Sequence, residues 1–234
     1  MHQEAVKITD WLKEKVEAAG GKGVVFGLSG GVDSAVVGAL AKSAFGSNAL
    51  GLILPCESQE QDEADARLIA EAMGIVVQKY DLTPAYQKFR EIFADLSPSK
   101  LALANLKARL RMSALYLVAN ERNYLVVGTS NKSEIAVGYF TKWGDSACDL
   151  RPLAELTKTQ VRELARFLGV PEKIIAKPPS AGLWPGQTDE AELGVTYAEI
   201  DAYLSGRELP EETLLRIRRL EEKSQHKRTF PPAP

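Results

Sequence analysis

The residues of this chain with the types and spacing to do chemistry are densest in Gly27-Leu28-Ser29-Gly30-Gly31-Val32-Asp33-Ser34. The stretch follows an apolar run, Val24-Val25-Phe26, and precedes Ala35-Val36-Val37-Gly38-Ala39-Leu40-Ala41. A strand that breaks at glycines and re-enters as a helix points its free amides outward and adds the positive end of the helix dipole, which makes an anion site. Ser29 and Ser34 add hydroxyl donors. Asp33 would repel phosphate unless a metal sits between them, so the loop predicts a Mg²⁺–nucleotide complex rather than a bare phosphate. A glycine-rich turn that only connects strand to helix would not need two serines and an aspartate.

No lysine follows the last glycine, so this is not a Walker loop, and the spacing is not Gly-x-Gly-x-x-Gly. The order Ser-Gly-Gly-x-Asp-Ser resembles the loop of the N-type ATP pyrophosphatases, which implies cleavage of ATP between its α- and β-phosphates to adenylate an oxygen.

Other stretches carry compatible chemistry. Tyr124-Leu125-Val126-Val127 reads as a strand ending in Gly128-Thr129-Ser130-Asn131-Lys132-Ser133-Glu134. A parallel sheet would set that loop beside the first, bringing Asp33 and Glu134 together as hard-oxygen ligands. Glu134 also suits a helix N-terminus by itself. Lys158 follows Thr157 in a Thr157–Gln160 capping box, at a position where the dipole disfavours a cation by ~0.3–1 kcal/mol, which points to a lysine facing a bound anion rather than a plain surface lysine. Gly138 to Asp149 mixes aromatics, Lys142, Asp145 and Asp149 without a period and reads as a binding loop, or as a buried loop of that composition.

The elements that must position these residues alternate β-α-β-α-β with strands apolar throughout, the pattern of an α/β, doubly wound parallel sheet flanked by helices. Ligands in such sheets bind at the carboxyl ends of the strands. Ser58 and Gln61 predict a capping box for the helix before Gly74. A long helix over about 99–120 has an apolar stripe too wide for one sheet-facing side. Either it is buried or its other face meets a second subunit, and Asn105, Lys107, Arg109 and Arg111 lie on it. Residues 178–190 are rich in proline and glycine with one tryptophan and predict a flap. C-terminal helices and a basic tail fill about 196–234. A basic tail is usually solvated, so composition alone does not recommend His226 and Lys227.

With 234 residues, 45% hydrophobic and 26% charged, the chain suits a single α/β domain over 1–234. A net charge of −2 gives no bulk field for nucleic acid. No apolar run approaches the ~18–20 residues of a bilayer span, and the polar N-terminus shows no signal peptide. Cys56 and Cys148 are far apart, which predicts a reduced cytoplasmic protein. Two cysteines and two histidines make zinc a poor candidate.

Together, the Ser29–Ser34 loop, Asn105 to Met112, Gly128 to Glu134, Gly138 to Asp145, Leu156 to Gln160, Pro179 to Glu190 and His226-Lys227 resemble ammonia-dependent NAD synthetase over nearly the whole chain. The resemblance implies that Gly27 to Ser34 cradles ATP, with Thr129, Lys158 and Ser180 also in contact. It implies Mg²⁺ on Asp33 and Glu134. Arg109, Lys142, Asp149, His226 and Lys227 would hold deamido-NAD, in a homodimer joined through helix 99–120. Ser180 stands where some members have threonine, so a hydroxyl is kept.

The implied reaction is a ligase forming a carbon–nitrogen bond. ATP activates the nicotinate carboxylate as an acyl-adenylate, and ammonia displaces AMP. Asp145 or Asp149 would orient or deprotonate ammonium. The synthetase motifs take up the whole length and neither cysteine has a nucleophile context, so free ammonia, or a separate amidotransferase partner, is the expected nitrogen source. Rival readings are a GMP-forming or tRNA-thiolating pyrophosphatase, or a non-catalytic ATP-binding module. Thiolation would need paired cysteines and a basic face. A mere sensor would not need Glu134, Lys158 and the flap.

Overall fold

The computed structural model describes residues 1–180, 182, 184 and 186–233. Ala181, Leu183 and Pro185 of the expected flap lie outside the described residues. Four strands, β1 (Gly23–Gly27), β2 (Ala49–Ile53), β3 (Val76–Lys79) and β4 (Tyr124–Val126), form one parallel sheet in the order β3-β2-β1-β4. This is the expected α/β architecture. The order reverses at β1, which pairs with β2 on one side and β4 on the other, so the loops after β1 and β4 meet at the switch point.

Alternation along β1 sorts the core. Val24 and Phe26 face α1 (His2–Ala18), α2 (Val32–Phe45), α3 (Glu60–Met73) and α7 (Lys158–Leu168). Val25, with Leu50, Leu52 and Val126, faces the long helix α5 (Lys100–Arg122) through Ala119 and Leu115. In α1, Ala5, Ile8, Leu12 and Val16 recur at helical spacing and are buried. Withdrawing a side chain such as Leu12 or Phe26 from water contributes about 1.5–3 kcal/mol each. α2 runs between α1 and α7 against the sheet, which is why its first ten residues are nearly all buried.

A smaller cluster joins α6 (Lys132–Val137), α9 (Asp189–Leu193), α10 (Tyr197–Leu204) and α11 (Glu211–Ser224) through Val137, Leu193, Tyr197, Ile200 and Ile217. Gly138 closes α6 with φ +66°, and a Cβ there would lie 2.1 Å from that of Ser224. This is how closely α11 approaches. Short helices α4 (Thr83–Ile92) and α8 (Glu172–Ile175) complete the connections.

Three local expectations are corrected. The Ser58–Gln61 capping box does not form: Ser58 Oγ accepts from the Cys56 amide and from Arg111, and α3 starts after Gln59. β3 is not apolar throughout: it lies at one edge of the sheet and half-exposes its residues. The basic tail is not free in solvent. Lys227 Nζ donates to the Gly138 and Phe140 carbonyls, and Arg228 to those of Ile135 and Ala136, so both cations meet the negative end of α6.

Candidate active site

β1 ends at Gly27 and α2 begins at Val32, with the glycine loop between them. Gly30 has φ +83°, and a Cβ there would stand 2.6 Å from the Asp62 carbonyl oxygen, so α3 leaves room for glycine alone. The two serines mainly tie the loop to itself. Ser34 Oγ donates to the Gly31 carbonyl at 2.9 Å and accepts from the Ser29 amide at 3.3 Å, and the Gly31 amide donates to Ser29 Oγ at 3.4 Å. No side chain caps the N-terminus of α2, so its amides and dipole stay directed at whatever enters the loop.

The β4 loop lies alongside, as the Val25–Val126 register requires. Asn131 Nδ2 donates to Asp33 Oδ1 at 2.8 Å, which links the two loops. Asn131 and Glu134 also form a capping box for α6, in which Glu134 Oε2 accepts from the Asn131 amide. That leaves Glu134 Oε1 and Asp33 Oδ2, and both bind Lys158 Nζ, at 3.0 and 2.5 Å. Lys158 is the first residue of α7, set by the expected Thr157–Gln160 box, and its side chain is only 3% exposed.

Electrostatics follow from this burial. It pushes the Glu134 carboxyl up to about 7, with the Lys158 cation working against the shift and Asp33 with it. Burial works to lower the Lys158 ammonium, but Asp33 and Glu134 outweigh it and hold the lysine above its ordinary range. Lys158 is therefore not a plain surface lysine: it is buried against the protein's own carboxylate pair. Two carboxylate oxygens that already share one cation within 3.0 Å are a fitting donor set for a divalent ion carrying phosphate oxygens. Among the described residues no group of three or more acidic, histidine or cysteine side chains could enclose a metal unaided.

Sequence reasoning missed the support behind this triad. Asp201, on α10 and buried, accepts from Ser133 Oγ at 2.5 Å and from the Thr159 amide at 2.9 Å, while Ser133 Oγ accepts from the Lys158 amide at 3.0 Å. One carboxylate thus clamps the N-termini of α6 and α7, which carry Glu134 and Lys158. Aspartates on a helix look like ordinary solvated charges in a sequence, so nothing marked it.

A second group gathers nearby in the chain's folded order. Arg109 Nη2 donates to the Lys142 carbonyl at 3.2 Å, and Lys142 Nζ to the His226 carbonyl at 2.5 Å. Burial pushes the Asp145 carboxyl up, while the Thr141 amide, which donates to its Oδ1 at 2.9 Å, and the Lys227 cation work to lower it. Arg109, Lys142, Asp145, His226 and Lys227 are therefore one knot. Asp149 is engaged elsewhere: it accepts from the Val126 amide at 2.7 Å and the Tyr116 hydroxyl at 3.1 Å, so it fastens the 138–149 loop to β4 and α5. Thr129 is half-buried at the end of β4. Ser180 is exposed and accepts from the Gly182 amide at 3.1 Å. Trp184 is half-buried rather than exposed, with Lys100 Nζ 4.1 Å from its ring centroid.

Known proteins share this plan. The NAD synthase family model matches residues 4–231. An NH(3)-dependent NAD(+) synthetase of Carboxydothermus hydrogenoformans is 50% identical over 235 residues, covering 99% of this chain and 97% of that one. The structure of NMN synthetase from Francisella tularensis superposes with a TM-score of 0.95 at 42% identity, covering 100% of this chain and 98% of that one. The NH3-dependent NAD synthetase of Campylobacter jejuni gives a TM-score of 0.85 at 29% identity, over 99% and 97%. A glycine loop, a carboxylate pair and a buried lysine at the switch point, on a chain matched almost end to end, lead to one assignment: the chain belongs to the NAD synthase family.

Proposed function

We propose that the chain is a carbon–nitrogen ligase that uses ATP and ammonia to amidate deamido-NAD, giving NAD, AMP and pyrophosphate. The observation that carries this is the Lys158 ammonium between Asp33 and Glu134, beside an uncapped helix N-terminus. This arrangement offers fixed positive charge where pyrophosphate would leave. The nicotinate carboxylate attacks the α-phosphorus and pyrophosphate departs. Ammonia then attacks the acyl carbon and gives up a proton to solvent, and AMP departs with the electron pair of the acyl–oxygen bond.

The α2 amides and Lys158 would stabilise charge developing on the phosphates. Thr129 and Ser180 would add hydroxyl contacts to ATP. Asp33 and Glu134 would hold Mg²⁺, which when bound neutralises phosphate charge and polarises the phosphoryl oxygens. The knot of Arg109, Lys142, His226 and Lys227 would receive the second nucleotide, with Asp149 holding the loop that forms its wall. Asp145 keeps accessible surface although its carboxyl is desolvated and pushed up by burial, and its Oδ1 is already satisfied by Thr141. Of the two aspartates it is the better placed to receive ammonium.

The whole chain would act as one domain, in the cytoplasm, as a homodimer joined through α5. Leu101 and Leu117 on that helix are 64% and 72% exposed, which supports such an interface. Among the described residues no helix is long and apolar enough to cross a membrane. A second reading, NMN-forming amidation of the deamido mononucleotide, is favoured by the TM-score of 0.95 to the Francisella enzyme. Pyrophosphate release separates the two. The first reading predicts steady-state release that needs ammonium for turnover beyond the first adenylation and runs at least tenfold faster in kcat/KM with deamido-NAD than with the mononucleotide. The reverse preference would establish the second, and release with neither acceptor would contradict both.

A further inference from the structure

The Lys158 ammonium has a third neighbour that no ATP-binding or metal role explains. The ring centroid of Tyr197, the first residue of α10, lies 4.9 Å from Nζ, and Tyr197 is 1% exposed. Its hydroxyl donates to Asp189 Oδ2 at 2.8 Å and lies 3.4 Å from Glu134 Oε1. Asp189 is 4% exposed, and its other oxygen, Oδ1, accepts no hydrogen bond among the described residues. The Tyr139 hydroxyl acts on that carboxyl but donates to Glu192 Oε2 at 2.6 Å. A buried carboxylate with an unmatched oxygen is unfavourable for stability alone, since an apolar side chain or an amide would carry less desolvation cost.

The backbone of the same residue has a separate task. The Asp189 amide donates to the Pro179 carbonyl at 3.0 Å, which closes the neck of segment 180–188. Asp189 therefore joins two things, the base of the flap and the tyrosine that faces the catalytic lysine.

We propose that Asp189 and Tyr197 are a positioning pair that sets the Lys158 ammonium for the ATP phosphates and ties that setting to the base of the flap. The proposal rests on the reading that Lys158 serves ATP. A lysine side chain has four flexible torsions, and its two carboxylate contacts are the groups that would be shared with Mg²⁺ and substrate. The ring of Tyr197 is the neighbour that does not change role, so it limits where the ammonium can go. A cation over an aromatic face is attracted to it without being neutralised by it, which leaves its charge available to phosphate.

The test is steady-state kinetics of Asp189→Asn, Tyr197→Phe, the double variant and Tyr197→Leu, with rates per ATP-binding site and a melting temperature for each. Asp189→Asn and Tyr197→Phe should each lower kcat roughly five- to tenfold with the KM for ammonium unchanged. Because they act through one hydrogen bond, the double variant should be no slower than the slower single. Tyr197→Leu, which removes the ring, should fall below Tyr197→Phe by a further tenfold or so. A merely structural pair would lower the melting temperature and leave kcat per site intact. Single variants within twofold of the parent in kcat, or a double variant whose losses multiply, would overturn the proposal. Failure of the functional reading would be visible separately, as a parent chain that releases no pyrophosphate at all.

Discussion

The Lys158 ammonium satisfies both Asp33 and Glu134, which would otherwise repel each other, and in the proposed reaction it would offset their repulsion of incoming phosphates. Replacing Lys158 with methionine keeps the length and removes the charge. The expected outcome is a loss of kcat of roughly 100- to 1,000-fold, the range seen when one fixed donor to a transition-state oxyanion is deleted, with the protein still folded by circular dichroism. Asp145 makes a narrower prediction. Asp145→Asn should raise the KM for ammonium at least several-fold and leave the KM for ATP within twofold, measured by pyrophosphate release across an ammonium series. An unchanged KM for ammonium would remove Asp145 from the ammonia step. At this scale the sequence was legible where a residue type was anomalous for its place: an aspartate in a phosphate loop, a lysine at a helix N-terminus. It was silent on Asp201, Asp189 and Tyr197, whose types are ordinary and whose roles exist only once α6, α7, α9 and α10 have been brought together.

Elements hold these residues by their ends. The α3–α8 junction shows how much depends on a single contact. Asp65 of α3 is buried and binds Lys173 and Lys177, each at 2.8 Å, while Asp62 binds Lys177 at 3.0 Å and its carbonyl crowds Gly30 of the phosphate loop. Burial works to raise the Asp65 carboxyl, but its bonds from Lys173, Lys177 and Gln61 outweigh this and hold it below the ordinary aspartate range. A carboxyl depressed in the folded state contributes stability above its unfolded pKa of about 3.9, and that contribution is lost as pH falls through the folded value. Asp65→Asn should therefore cost roughly 1–3 kcal/mol at pH 7, and the difference from the parent should shrink below about pH 4. Urea unfolding at the two pH values reads this directly, and a difference that does not change with pH would contradict it. The helices themselves were largely readable from spacing and caps. Thr157–Gln160 forms the box its sequence proposes, and Thr196–Glu199 forms another at the start of α10. Ser58–Gln61 has the same signature and does not, because Arg111 reaches Ser58 from α5, a long-range competitor invisible to local pattern. The edge position of β3 was hidden for a related reason, since strand order is a property of the whole sheet.

For the whole molecule, the open question of partnership lies on the face formed by α4 and α5. Phe89, Ile92, Phe93 and Leu96 are exposed on and just after α4, as is Leu101 at the start of α5, and Leu117 is exposed further along α5 on another side of that helix. The width of the α5 stripe had already raised a second subunit as an explanation. A homodimer through this face predicts about twice the 25.5 kDa chain mass in sedimentation equilibrium. Leu101→Glu with Leu117→Glu should shift the chain toward monomer and weaken binding of the second nucleotide more than that of ATP. A monomeric parent would contradict the interface.

In the proposed reaction the switch-point loop adenylates the substrate carboxylate before ammonia arrives. The most direct test supplies the deamido substrate with its nicotinate carboxylate labelled in heavy oxygen and analyses the products by mass spectrometry. Adenylation predicts one labelled oxygen in the phosphoryl group of AMP and none in pyrophosphate. Unlabelled AMP, or label in pyrophosphate, would contradict it.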